Sequence, residues 1–333
     1  MATLTNLSLD MLDIAKRCED KKVATVIELL HQENMILQDA LAMECNSGKE
    51  HIHTIRTGLP AVTWGRLYKG IAQSKSLTQQ VTDTTGFLEG RSPVDTRLLE
   101  MNPGKQAQIR MQEGMAFIEA MSQEMASGIF YHDTATTPEK FKGLGARYGV
   151  SGGGGAGNQI VKAGGSGSDN TSIWFVTWGD RYTHLLYPEG TSAGVSRQDR
   201  GVQQELDENG DKYYVEEEEF RWHIGVAVKD WRYNARIANI DVSDMQAGSV
   251  DLYKYMRQAY YKLQSTFVPG GRQAIYCNRD VMEVLDALAT NGGSWDNFVR
   301  LQTREIEGRM VTTYRGIPIR VTDAILNTES AVA

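Results

Sequence analysis

The chain has 333 residues and a mass of 37.1 kDa, and its 35 Lys and Arg against 42 Asp and Glu leave a formal charge of −7. With 41% apolar and 23% charged residues it has the composition of a chain that buries a core, which excludes wholesale disorder. Its size fits one large domain or two ordinary ones. No apolar run approaches the roughly 18 to 20 residues of a membrane span, and Met1-Ala2-Thr3-Leu4 shows no signal-peptide pattern. The expectation is a soluble protein that folds in a cytoplasm. The acid excess argues against coating nucleic acid through bulk charge. Cys18, Cys45 and Cys277 form neither a CxxC pair nor a disulfide framework and read as small buried hydrophobes.

Along the first 45 residues Leu9, Leu12 and Ala15, then Val23, Val26/Ile27, Leu30, Ile36/Leu37 and Leu41, predict two amphipathic helices broken near Glu19-Asp20. Residues 51–97 carry Thr, Gly, Pro and isolated aromatics without a sustained period. Their charges are Arg56, Arg66, Lys69, Lys75, Arg91 and Arg97 against Asp83, Glu89 and Asp95. Such a basic, extended excursion far exceeds the usual connection of roughly 4 to 6 residues. Asn102-Pro103 then supplies an N-cap and a first-turn proline. Met111, Met115, Ile118, Met121, Met125 and Ile129 follow at helical spacing, which predicts a helix over residues 103–131 with one apolar stripe facing a core.

Between residues 143 and 168 lie eleven glycines, including Gly152 to Gly155, a density that predicts a flexible loop. Strand-like segments follow at residues 171–178, 184–187, 220–228 and 231–240. Between the second and third, residues 199–219 hold nine acids against Arg200 and Lys212, and the Glu216, Glu217, Glu218, Glu219 run reads as a solvated turn or strand edge. In the last third, residues 249–267 read as a helix capped by Ser249, residues 273–277 as a strand, and Asn278 as the cap of a helix that ends at Asn291-Gly292-Gly293. Arg315-Gly316 joins strands 310–314 and 317–322 as a hairpin. No internal repeat is visible, and the mixture indicates an α+β fold.

Enzyme chemistry finds no complete constellation. The glycines at 152–157 invite a phosphate cradle, yet no Gly-Lys-Ser/Thr follows and Lys162 is out of place. His51, His53, His31 and Cys45 match no zinc spacing. His132-Asp133 lacks a nucleophile elbow, and the Glu216/Glu218 pair reads as hydrated carboxylates rather than a catalytic dyad. No enzyme, cofactor or metal is assigned. The distinctive features are geometric and suit assembly, with the basic loop (Arg56, Arg66, Lys69, Lys75) and the acidic run Glu216 to Glu219 as complementary inter-subunit contacts.

Trp178-Gly179-Asp180, then His184-Leu185-Leu186-Tyr187-Pro188-Glu189-Gly190-Thr191-Ser192-Ala193-Gly194 with Asp199, resemble the major capsid proteins of short-tailed bacteriophages. The approach from Gly164 to Ser172, the block from Phe220 to Asp241 and Tyr314-Arg315-Gly316-Ile317-Pro318-Ile319 are similar to that family too. The resemblance implies a Hong Kong 97-type fold. Its parts are an N-terminal arm (1–50), an extended loop (51–97), a peripheral domain (98–241) with a spine helix at 103–131, an axial domain (242–305) and a C-terminal hairpin (306–333). It implies self-assembly into hexamers and pentamers of an icosahedral head enclosing double-stranded DNA, formed in the host bacterial cytoplasm. The implied partners are a separate scaffolding protein, a portal protein, a cement or decoration protein, and DNA held without sequence specificity. Lys69 and Lys75 are candidates for the loop-lysine crosslink some relatives make; no motif marks the Asn partner, so noncovalent locking is expected. Other virion components, such as a decoration or tail protein, and a nucleotide-binding enzyme using the glycine loop are the competing readings.

Overall fold

The computed structural model describes residues 18–19, 22–23, 32, 34–101, 103–207, 209–290, 301–306 and 309–333. Most of the two expected N-terminal helices, His31, Asn102 and the expected stop at Asn291-Gly292-Gly293 lie outside these residues. Where the first part of the chain is described it departs from the expectation. Cys18–Glu19 (β1) pairs antiparallel with Lys22–Val23 (β2), and after a single turn at Ile36–Asp39 (α1) the chain runs extended through Ala42–Glu44 (β3). β3 lies parallel to Thr183–Tyr187 (β8), so hydrogen bonds to a distant strand override the helical spacing that reached Leu41.

The excursion at 51–97 is a β-hairpin. Glu50–Gly58 (β4) pairs antiparallel with the first half of Leu77–Asp95 (β5), from Glu50 opposite Thr84 to Gly58 opposite Leu77, and residues 59–76 form the tip. No period was visible because most of both faces of this ribbon meet solvent, which leaves β-branched Thr54, Thr57, Thr78 and Thr82 as the main strand signal. The second half of β5 leaves β4 and pairs with Lys212–Val228 (β10), from Thr85 opposite Gly225 to Asp95 opposite Val215. Asp95 caps Thr96–Glu100 (α2) by accepting the Arg97 amide.

The long helix is Gln106–Tyr131 (α3), 26 residues and on the order of 40 Å. It starts three residues later than the Pro103 signal, and its N-cap position, Lys105, makes no side-chain cap. The expected stripe is buried only in its second half. Met121, Met125 and Ile129 lie in the core, whereas Met111, Met115 and Ile118 are 59%, 60% and 42% exposed, because the first half of the helix meets the sheet through Ile109, Gly114 and Phe117 instead, with Phe117 stacked on Phe220 of β10.

The glycine-rich stretch holds Leu144–Arg147 (α4) and a short 3-10 turn at Gly155–Gln159. It follows a defined path with Gly152, Gly153, Gly154 and Gly155 all at positive φ, a succession that residues with a Cβ rarely sustain. Within it Ile160–Lys162 (β6) forms a strand beside Ala235–Asp241 (β11), and Gly164, Gly165 and Gly167 follow that strand.

Asn170–Trp178 (β7) is buried at every position and organises the core. Trp174, Val176 and Trp178 face Met125, Ile129, Phe130 and Tyr148, while Ile173 and Phe175 face the opposite layer, the period of two expected of a strand covered on both sides. That second layer comprises Val242–Gln246 (α5), Leu252–Lys262 (α6) and Arg279–Thr290 (α7), packed on β11, Arg272–Cys277 (β12) and Ile317–Val321 (β15). Asp251, two residues beyond the expected Ser249, caps α6 by accepting the Lys254 amide. Asn278 caps the start of α7 as expected, accepting the Val281 amide at 2.9 Å. Arg315 and Gly316, both at positive φ, turn Arg309–Tyr314 (β14) into β15, and Gln302–Ile306 (β13), unforeseen in the sequence, adds to β14.

The main path of the sheet runs β13-β14-β15-β12-β7-β8-β10-β5-β4, with β3 on β8, β11 on β7 and Val195–Leu206 (β9) on β10. Cys45 and Cys277 are buried, and burial pushes their thiols up to about 11 and about 12. Among the described residues no helix is long and apolar enough to cross a membrane.

Candidate assembly surfaces

The hairpin β4–β5 carries its tip away from the rest of the chain. Leu59, Val62, Trp64, Leu67, Tyr68 and Ile71 are between 72% and 105% exposed there, an apolar set that a lone globular subunit would bury. Arg66, Lys69 and Lys75 lie in the same tip and Arg56 on the outer part of β4. All four are exposed, and among the described residues none has a side-chain partner in the chain.

The Glu216 to Glu219 run is neither a turn nor a sheet edge. It lies within β10, between β5 and β9, with Glu217 8% and Glu218 2% exposed. The pairing with β9 shifts register between Glu217 and Glu218, with Arg200 as the extra residue on β9. Toward α3, Arg110 meets Glu216 at 2.9 Å, Glu218 at 2.7 Å and Asp199 at 3.1 Å, and Arg197 of β9 adds two bonds to Glu218 at 2.8 and 2.6 Å. On the other face Arg91 of β5 holds Glu217 at 2.6 Å and Glu205 at 2.8 Å, and Arg221 bridges Glu219 and Glu89. A hydrogen bond from Arg200 at 2.6 Å holds the Glu219 carboxyl below its usual range. Four adjacent carboxylates are tolerated inside a sheet because arginines from four elements, α3, β5, β9 and β10 itself, converge on them. The basic partners are scattered from Arg91 to Arg221, so the acid run alone gave no sign of them. Over the two faces together acid still predominates, nine carboxylates (Glu89, Asp199, Glu205, Asp207, Asp211 and the four) against six cations (Arg91, Arg110, Arg197, Arg200, Lys212 and Arg221) among the described residues of this region.

The residues weighed for enzyme chemistry are dispersed. The glycine loop runs into strand β6, not into a helix whose N-terminus would meet an anion. His132 lies within hydrogen-bonding distance of Glu124 at 3.1 Å and Lys140 at 3.2 Å, while Asp133 accepts the Ala135 amide. Burial holds the His132 imidazole below its ordinary value. His51 and His53 do not join Cys45; they meet His184 of β8, and among the described residues no group of three such side chains has metal-holding geometry.

Three comparisons bear on this architecture. The family model of the major capsid protein GP7 matches residues 18–333. A chain of the cryo-EM structure of bacteriophage Epsilon15 is 34% identical, with a TM-score of 0.78, covering 100% of this chain and 99% of that one. The SrpI encapsulin of Synechococcus elongatus PCC 7942 is 12% identical over 71% of this chain and 97% of its own, at a TM-score of 0.45. The capsid of a native GTA particle is 11% identical over 67% of this chain and 96% of its own, at 0.46. No curated protein matches. A Hong Kong 97-type fold with a projecting hairpin and a long helix defines a structural shell protein of a bacteriophage. The chain belongs to the major capsid protein GP7 family, and its role is structural, as a capsid subunit of the virion.

Proposed function

We propose that copies of this chain assemble into hexamers and pentamers that close an icosahedral head around double-stranded DNA, and that the extended hairpin is the principal link between neighbours. The observation that carries the reading is the tip. Six exposed apolar side chains at the tip of a two-stranded arm have nothing among the described residues to pack against. Each gains roughly 1.5–3 kcal/mol when buried, so a neighbouring copy is their natural partner. Arg56, Arg66, Lys69 and Lys75 approach the acidic face around Glu216 to Glu219 of that neighbour, where charge sets register and encounter rate more than affinity. The arm, extended loop, peripheral, axial and C-terminal divisions at 1–50, 51–97, 98–241, 242–305 and 306–333 follow from the same reading. Individually weak contacts repeated around each subunit let misplaced copies leave, while a closed shell holds through their number.

Assembly takes place in the host bacterial cytoplasm with a separate scaffolding protein, around a portal, with a decoration protein on the finished shell. The acidic subunit holds packaged DNA without sequence readout and with little electrostatic grip. The chain acts without cofactor or catalysis, and the tip lysines lock without a covalent crosslink.

The test is negative-stain microscopy and sedimentation of the purified chain, alone and with a candidate scaffold. Closed shells or rings of five and six are expected from the wild type. The triple variant Arg66→Glu/Lys69→Glu/Lys75→Glu is expected to remain folded and fall at least tenfold in shell yield. A wild type that stays monomeric under every condition refutes the reading; shells of unchanged yield from the triple variant refute the charge pairing alone.

A further inference from the structure

The root of the extended hairpin holds the largest group of buried polar atoms without partners among the described residues. His51 and His53 of β4, Asp83 of β5 opposite His51, and His184 of β8 come together there, with His51 and His184 rings edge to face at 5.4 Å and His51 and His53 at 6.1 Å. His184 is wholly buried, and His51 and Asp83 are 7% and 4% exposed. Nδ1 of His51 and both ring nitrogens of His53 and of His184 are buried without a hydrogen bond, and so is Asp83 Oδ2, which stands 3.9 Å from His53 Nδ1. So many unsatisfied buried groups in one place call for a reason beyond stability.

Their place in the fold supplies it. β5 pairs with β4 up to Thr84 and with β10 from Thr85 onward, so the arm changes support at this point. A Cβ on Gly225 would stand 2.7 Å from the Thr84 carbonyl and one on Gly86 3.0 Å from that of Glu139, so the backbones meet directly at the pivot. Arg147 of α4 ties the pivot to the core through Asp83 at 2.7 Å and the Val226 carbonyl at 2.8 Å. Across the cluster Lys229, which follows β10, pairs with Asp180 of the β7–β8 turn at 2.9 Å.

We propose that His51, His53 and His184 form a proton-operated latch that holds the extended hairpin to the body of the chain while neutral and releases it when protonated. With the imidazoles neutral, Asp83 and Asp180 balance Arg147 and Lys229. Each added proton then places a further positive charge in a closed space beside two cations, and the root lowers that cost by opening to water. Burial, foremost, holds all three imidazoles below their ordinary value, His184 down to about 3. The open root therefore binds protons more tightly than the closed one. Closure is fully favoured above pH about 6.5 and weakens as pH falls below it, the sign linkage gives to a base whose value is depressed in the closed state. The latch is a property of one chain and does not rest on the assembly reading.

The test is hydrogen–deuterium exchange on the full-length chain, kept unassembled as verified by sedimentation and corrected for intrinsic rates, between pH 7.5 and 5. Peptides covering Glu50–Gly58 and residues 77–84 are expected to lose at least tenfold in protection, with a dependence steeper than one proton, while β7 and β11 stay protected. The double variant His51→Gln/His53→Gln is expected to flatten that dependence. Unchanged protection in the wild type overturns the latch, as does an equal loss in the double variant or a loss shared by β7 and β11. Should the double variant fail to fold, NMR of the wild-type histidine rings decides: three rings titrating well below 6.5 in coupled fashion support the latch, and ordinary titration of all three overturns it.

Discussion

Replacing Arg236 should show how the C-terminal tail is held to the body of the subunit. Arg236 on β11 is 5% exposed. It donates to Glu329 at 2.9 Å, Ser172 at 3.1 Å and the Tyr148 carbonyl at 2.9 Å, and its guanidinium lies 4.8 Å from the Trp174 ring centroid. Glu329, 6% exposed, also accepts from Ser172 and, at 2.6 Å, from Tyr131 at the end of α3. Arg236→Met removes the cation and leaves the carboxylate dry. Breaking a buried pair from one side costs about 3–5 kcal/mol; Tyr131 and Ser172 still donate, which places the expectation near the lower end, about 3 kcal/mol. Unfolding entropy near 2.1 cal/mol/K per residue amounts to about 0.7 kcal/mol/K over 333 residues, so the melting midpoint should fall by about 4 °C. Glu329→Leu strands the guanidinium and should fall comparably. The double variant removes both charges and should lie within about 2 °C of wild type, because apolar replacement of a buried pair is often nearly neutral. Calorimetry of the unassembled chain measures all four proteins. Simple addition of the two losses, or a fall under about 1 °C for Arg236→Met, would refute the argument that the pair is held by mutual compensation.

Two further outcomes follow from exposure and burial. Trp64, 97% exposed, should be replaceable by Ala with a change in stability of no more than about 0.5 kcal/mol, while the yield of closed shells by sedimentation falls; a shell yield equal to wild type would remove Trp64 from the contact. Cys45 and Cys277, buried and with their thiols pushed up to about 11 and about 12, should resist a thiol reagent at pH 8 until denaturant is added, and rapid labelling of either in the native chain would contradict its place in the core.

Elements whose pattern is local were legible. The unbroken apolar run Ile173, Trp174, Phe175 and Val176 marks β7 because both its faces are buried, and Asn278 marks the start of α7 because a cap is a contact between near neighbours. Arg315-Gly316 marks its hairpin because a two-residue turn demands positive φ at both positions. The polar strands were not legible. β4, β9 and the first half of β10 have no uniformly apolar face, and only pairing with distant strands makes them extended. The stripe on α3 reads as continuous in sequence, but nothing local says that the first half of the helix turns Ile109, Gly114 and Phe117 to the sheet and leaves Met111, Met115 and Ile118 outside.

The same division holds for the surfaces. Composition and spacing sufficed for an α+β chain with a basic excursion, a long helix and an acidic stretch, since charge and periodicity are properties of the chain itself. Which acids face which cations was decided by the register of three strands, which sets Glu216 to Glu219 among Arg91, Arg110, Arg197, Arg200 and Arg221. The meeting of His51 and His53 with His184 was decided likewise, because β4 and β8 reach each other only through the folded sheet. Sequence sets what each segment prefers; which distant segments come into contact is settled by burying both faces of β7 and by the sheet pairings that this burial brings into reach.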